Sequence, residues 1–114
     1  MDVRSTLKKN SDFRRLYNKG KSAVNPYMVV YCRRNKGQTN RLGYTVSTKL
    51  GHAVVRNRTR RRIREIYRLN ETCFTPGRDI VIVARTRAVN GDFSKMTAAL
   101  LSLAQKSGLT GSAT

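Results

Sequence analysis

The sequence predicts an α+β fold in one small domain, with its elements in the order αβββαβα. Three observations lead there. A chain of 114 residues suits a single compact core and leaves little room for a second. Along it the apolar residues change from helical spacing to alternation and back to helical spacing. The one dense apolar run, Ile80-Val81-Ile82-Val83-Ala84, is short and β-branched, as a buried central strand requires.

The elements follow in order. Asn10 or Ser11 is placed to cap a first helix, with Phe13, Leu16 and Tyr17 at i, i+3 and i+4 on one face and Gly20 at its end. Lys21 to Val24 reads as a short strand before Pro26. Tyr27 to Arg34 alternates, placing Tyr27, Val29, Tyr31 and Arg33 on one side and Met28, Val30, Cys32 and Arg34 on the other. After a polar loop at 35–40, Arg41 to Ser47 is expected to return as the antiparallel partner of a hairpin. A second helix spans about Gly51 or His52 to Asn70, and Pro76-Gly77 turns the chain into the central strand, Asp79 to Ala84. Beyond Asn90-Gly91-Asp92, a last helix places Phe93, Met96, Leu100 and Leu103 on one stripe, and Gly108 ends it. Residues 1–108 thus form the single domain, and 109–114, small and polar, are expected to be a disordered tail.

The second helix carries the strongest functional signal. Seven arginines fall between Arg56 and Arg68. At 100° per residue, Val55, Thr59, Ile63, Ile66 and Leu69 gather on one arc, and Asn57, Arg60, Arg61, Arg64 and Arg68 on the opposite one. Glu65 is the single acid within that run, so the row repels itself, and an external polyanion explains it better than internal ion pairs do. Arginine grips phosphate through two parallel hydrogen bonds, which suits a nucleic-acid backbone.

Charge and composition narrow the class. Twenty-four Lys and Arg against six Asp and Glu give a net charge of +18, and the positive residues divide evenly, twelve in residues 1–50 and twelve in 51–114. Such a field favours nucleic acid and makes association salt-dependent. No apolar run approaches a membrane span and the first residues lack a signal-peptide core, so a soluble, cytoplasmic protein without a membrane partner is expected. Cys32 and Cys73 lack metal-ligand spacing and are expected to be reduced and buried. The carboxylates Asp2, Asp12, Glu65, Glu71, Asp79 and Asp92 are scattered, His52 has no visible partner, and no phosphate-binding glycine loop is present. No catalytic or metal-binding residue is assigned; the chain reads as a binder.

Aromatic rings form a second set. Phe13 and Tyr17 on the first helix and Tyr31 on a strand stand among Lys8, Lys9, Arg14, Arg15 and Arg33, a combination suited to stacking single-stranded bases while holding phosphates. The same rings equally suit docking the helix on the sheet.

The run from Lys49 through Ala53-Val54 and Arg56-Asn57-Arg58 to Arg60-Arg61 and Arg64 resembles the signature of the bacterial ribonuclease P protein subunit. Leu7 to Asn10, Asp12-Phe13, Leu42 to Ser47 and Asp79 to Arg85 extend the resemblance over nearly the whole chain. It implies an αβββαβα two-layer sandwich with a left-handed crossover. It also implies a ribonucleoprotein in which an RNA subunit, holding divalent metal (Mg), cleaves the 5′ leader from precursor tRNA. The protein is then an accessory subunit of that endoribonuclease, binding no metal alone. Arg56, Asn57, Arg58, Arg60, Arg61 and Arg64 would contact the catalytic RNA, with Arg68 added from the basic arc. Phe13, Tyr17 and Tyr31 would line a cleft for the single-stranded leader, with Ser47 and Lys49 at its edge. Arg62 is expected beside the grip rather than in it. A ribosomal or other structural RNA-binding protein is the alternative, and a DNA-binding protein ranks below it because no dimer symmetry or helix-turn-helix is visible.

Overall fold

The structure, a computed structural model, describes Thr6, Leu7 and residues 9–110. The chain forms α1 (Asn10–Lys19), β1 (Lys21–Val24), β2 (Met28–Arg34), β3 (Arg41–Thr45), α2 (Ala53–Asn70), β4 (Arg78–Ala84), a short α3 (Thr86–Val89) and α4 (Phe93–Lys106). Single 3₁₀ turns at Thr48–Leu50 and Glu71–Cys73 flank α2. The α+β class and element order match the sequence reading, with α3 and the two 3₁₀ turns added.

The hairpin expected between β2 and β3 does not form. The sheet runs β1-β2-β4-β3, with β4 inserted between them, antiparallel to β2 and parallel to β3. The reason lies in β4 itself. Ile80, Val81 and Ile82 are apolar on both faces and fully buried, so burial is greatest with a strand on either side and helices above and below. The hairpin is instead β1 with β2, joined at Asn25-Pro26-Tyr27. Asn25 shapes that turn by accepting from the Tyr27 and Met28 N–H groups, and donates to the Ala99 carbonyl of α4.

One face of the sheet, with Met28, Val30, Cys32, Leu42, Ile80 and Ile82, packs against α2 and α4 and forms the main core. This is the two-layer sandwich; α1 adds a partial layer on the other face, where Leu7 and Leu16 meet Val81. On α2 the buried residues are Thr59, Ile63, Ile66 and Tyr67. Leu69, expected inside, is exposed at 56%, and Tyr67 on the other flank of the arc is buried instead, packing edge-on against Phe74 at 4.8 Å. On α4, Asp92 caps the helix through the Lys95 N–H, and Met96, Leu100 and Leu103 are buried as expected, whereas Phe93 stays exposed in the first turn.

The disordered tail expected at 109–114 does not begin at 109. Gly108 adopts φ +74°, which reverses the chain after α4, and the Leu109 N–H then reaches back to the Ala104 carbonyl. Leu109 is fully buried, its carbonyl accepts from the Thr75 N–H, and Thr110 bridges to Phe74. A glycine followed by an apolar residue at a helix end was the readable signal. Residues 111–114 lie outside the described residues.

Both cysteines are free, Cys32 buried and Cys73 exposed, so the burial expected for Cys73 is not found. Cys73 ends a 3₁₀ turn whose next residue, Phe74, takes the core position. Burial pushes the Cys32 thiol up, against the lowering pull of Lys21 and Arg78. A thiol reagent at neutral pH is therefore expected to label Cys73 within minutes and Cys32 only after denaturant is added; equal labelling rates in the native protein would contradict this packing.

Candidate RNA interface

The arginines of α2 divide by what holds them. The Arg56 Nε donates to the Gly51 carbonyl at 3.2 Å, tying the first turn of the helix to the preceding loop. Asn57 accepts from Arg60 Nη1 at 2.8 Å and so orients that guanidinium. Arg62 donates to the Gly91 carbonyl at 2.6 Å, which holds it against the loop before α4. Arg68 forms a two-point pair with Glu65, at 3.0 and 2.6 Å; this hydrogen bonding holds the Glu65 carboxyl below its usual range. Arg58, Arg61 and Arg64 are exposed and have no hydrogen bond or ion pair among the described residues. They are the cations left free for an external anion.

Arg60, Arg64 and Arg68 also form one wall of a cleft of about 660 Å³ that wraps the free edge of β3, with Tyr44, Tyr67 and Phe74 deeper in it. Tyr17 and Tyr31, assigned to a leader cleft, lie elsewhere, on the α1 face of the sheet. There the Phe13 and Tyr17 rings are 6.5 Å apart, and Tyr17 meets Tyr31 edge-on at 4.9 Å. The Tyr17 hydroxyl lies 3.2 Å from Thr45 Oγ1, which anchors the ring over β3. Phe13 is the most committed to packing: it sits against Gly43, where a Cβ would come within 2.7 Å of the ring. Glycine at 43 is thus a requirement of close approach.

Sheet register exposes a feature that the sequence did not reveal. Three rows cross the α1 face. The middle row, Ser22-Tyr31-Val81-Gly43, carries α1. The row Val24-Val29-Val83-Thr45 is left partly uncovered, because α1 crosses the sheet along the middle row, from Phe13 over Gly43 to Gly20 beside Cys32. Val83 is in the central strand, yet it is only partly buried beside Leu7, Leu16 and Val81, while Ile80, Val81 and Ile82 are fully buried. An apolar floor, bordered by Tyr17 and Tyr31, therefore crosses the sheet. At β3 it leads to Ser47, which accepts from the Lys49 N–H and shapes the exposed turn before α2. The aromatic and arginine sets, separate in the sequence, meet where Phe13 lines the same cleft as Arg60, Arg64 and Arg68.

Catalytic chemistry has little to build on among the described residues. Asp79 accepts three hydrogen bonds, two from Arg41 and one from Asn35. Burial alone would raise its carboxyl; the hydrogen bonds from Arg41 and Asn35, with the charges of Arg41 and Arg33, outweigh that and hold it low. Asp12 also approaches Arg41, and Asp92 is a helix cap. His52 is exposed at the start of α2. No group of three or more His, Cys, Asp or Glu able to hold a metal occurs among the described residues, and no described helix is long and apolar enough to cross a membrane.

A family model described as Ribonuclease P matches residues 1–108. The chain is 42% identical over 106 residues to the ribonuclease P protein component of Alkaliphilus metalliredigens, covering 93% of this chain and 96% of that protein. It is 42% identical over 113 residues to that of Clostridioides difficile, covering 96% and 99%. Among solved structures, the Staphylococcus aureus RNase P protein superposes with a TM-score of 0.85 at 34% identity, over 96% of this chain and all of that one. The RNase P protein from Thermotoga maritima superposes with a TM-score of 0.79 at 36% identity, over 87% of this chain and 94% of that one.

Proposed function

The chain belongs to the ribonuclease P protein family, the protein side of a tRNA-processing endoribonuclease, and on that premise we propose that it holds the catalytic RNA with α2 and the single-stranded 5′ leader of precursor tRNA on the uncovered sheet floor. The RNA subunit, with magnesium bound mainly to it, performs the cleavage, and the protein lowers the repulsion between two polyanions. Arg58, Arg61 and Arg64 meet phosphates of the catalytic RNA directly. Arg56, Asn57 and Arg60 act as a braced set beside them, and Arg68 does so when its pair with Glu65 opens. Leader bases stack on Tyr17 and Tyr31 over Val29 and Val83, Phe13 supports the wall, and Ser47 with Lys49 receives the backbone at the junction. The reaction takes place in the cytoplasm.

The partly buried Val83 carries this reading: an apolar floor in a central strand, flanked by aromatic rings and opening onto the arginine helix, suits a single strand of RNA running into a ribonucleoprotein site. The test is cleavage of precursor tRNA by a bacterial ribonuclease P RNA at low magnesium, with and without the protein. Restored 5′ maturation is expected, and none from the protein alone. No gain over the RNA alone, or cleavage by RNA-free protein, would overturn the proposal.

A further inference from the structure

The third row of the α1 face, Arg33-Asp79-Arg41, lies across α1 from the uncovered floor. Asp79 fixes Arg41 there: Nε and Nη2 of Arg41 donate to its two carboxylate oxygens at 2.8 and 2.7 Å, and Asn35 donates to the same group at 3.0 Å. With that edge of the guanidinium engaged, Nη1 is left towards α1, 3.8 Å from Oδ2 of Asp12 in the first turn of the helix. Asp12 is the sole acid of α1, and its side chain is only 13% exposed, so its charge is largely withdrawn from water beside Arg41. The surrounding forces act the other way. Arg15 of α1 shares a hollow over this row with Arg33, Arg34 and Lys36, which repel it. On the opposite flank, Val29 and Val83 offer apolar surface that a helix shifted towards them would bury, and the Tyr17 hydroxyl already reaches Thr45 on that side. Phe13 over Gly43 and Leu16 against Val81 seat α1 on the middle row, but apolar contacts are non-directional and do not resist a roll towards more apolar surface.

We infer that Arg41, fixed by Asp79 and pulling on Asp12, is a positioning residue for the leader site: it holds α1 back from the Val24-Val29-Val83-Thr45 row and so keeps that floor open. Neither Arg41 nor Asp12 touches the leader; both act through the placement of α1 and of the Tyr17 ring it carries. Along β3, Arg41, Gly43 and Thr45 receive Asp12, Phe13 and Tyr17 in turn, so α1 is tied to the sheet on both flanks. Cutting the tie at Asp12 leaves the repulsion from Arg33 and the pull of the floor unopposed. The inference rests on the proposed leader site.

Asp12→Asn is the test, because it cuts the tie and leaves Arg41 paired with Asp79. It also raises the net charge by one, which by itself tightens RNA binding, so a loss runs against the electrostatic trend. Holoenzyme affinity is measured for precursors with long and short leaders. In the free full-length protein, NMR with a soluble paramagnetic agent reads the solvent exposure of the Val29 and Val83 methyl groups. Asp12→Asn is expected to weaken long-leader binding about three- to fivefold, the size of one ion pair, to leave short-leader binding unchanged or slightly tighter, and to make both valines less accessible. Asp12→Glu keeps the carboxylate and should restore most of both readings. Asp92→Asn makes the same charge change at the cap of α4, on the other face of the sheet, and should leave leader dependence and methyl exposure as in wild type. The inference is overturned by long-leader binding in Asp12→Asn that equals or exceeds wild type, by a loss shared by all leaders, by unchanged methyl exposure, or by the same leader-dependent loss in Asp92→Asn. A wild-type holoenzyme indifferent to leader length would instead remove the leader site itself, and the methyl measurement would still decide whether the tie holds α1 off the floor.

Discussion

Glutamine in place of both Arg61 and Arg64 is expected to weaken assembly with the catalytic RNA by about 3 kcal/mol, roughly a hundredfold, taking about 1.5 kcal/mol for each charge-assisted hydrogen bond. These two are chosen because they are exposed on α2 and have no partner among the described residues, so their removal leaves the fold intact. The loss should be the same for substrates with and without a leader. Arg62→Gln is the contrasting variant: it gives up the bond to the Gly91 carbonyl and should lower thermal stability while changing RNA affinity little. Titration of each variant against the RNA, alongside its melting curve, checks the pattern. Wild-type RNA affinity in the Arg61/Arg64 variant would remove α2 from the interface.

Tyr17→Ala and Tyr31→Ala should each weaken binding of long-leader precursor to the holoenzyme by about 1–3 kcal/mol, the range for losing one base–aromatic stack. Binding of mature tRNA should hardly move. The two rings touch edge-on, so the double variant is expected to lose less than the sum of the singles. Tyr17→Phe keeps the ring, gives up only the contact with Thr45, and should remain close to wild type. Phe13→Ala tests something else: its ring fills the space above Gly43, and truncation should cost stability of about 2–3 kcal/mol before any effect on RNA is read. Affinity measured against leader length decides the matter. Losses in the two tyrosine variants that ignore leader length would return those rings to a packing role.

Local chemistry explains which parts of this account were readable from the sequence. Helical spacing from Val55 to Ile66 places α2 correctly because a helix repeats its own geometry every few residues, and the Asp92 cap is likewise decided by neighbours in the chain. The density of arginine in α2 points to an external anion without any structure, since a single acid, Glu65, lies within the run to offset it. The family signature was legible for the same reason: it is a contiguous run.

Pairing and coverage were not legible, because they depend on residues distant in sequence. Alternation in β2 and β3 is satisfied equally by a hairpin and by two strands separated by β4; only the burial available to β4 on both faces and both edges selects the second. Leu69 and Tyr67 flank the apolar arc on opposite sides, and contact with Phe74 decides which flank is inside. Whether Arg58, Arg61 and Arg64 are free while Arg62 and Arg68 are held depends on where Gly91 and Glu65 fall around them. The floor at Val83 is decided by the row along which α1 crosses the sheet. The sequence by itself therefore determined the elements, the charge and the chemical class of the partner, which follow from short-range periodicity and composition. The tertiary structure decided which cations remain free and where an apolar strip stays uncovered, because both depend on long-range packing.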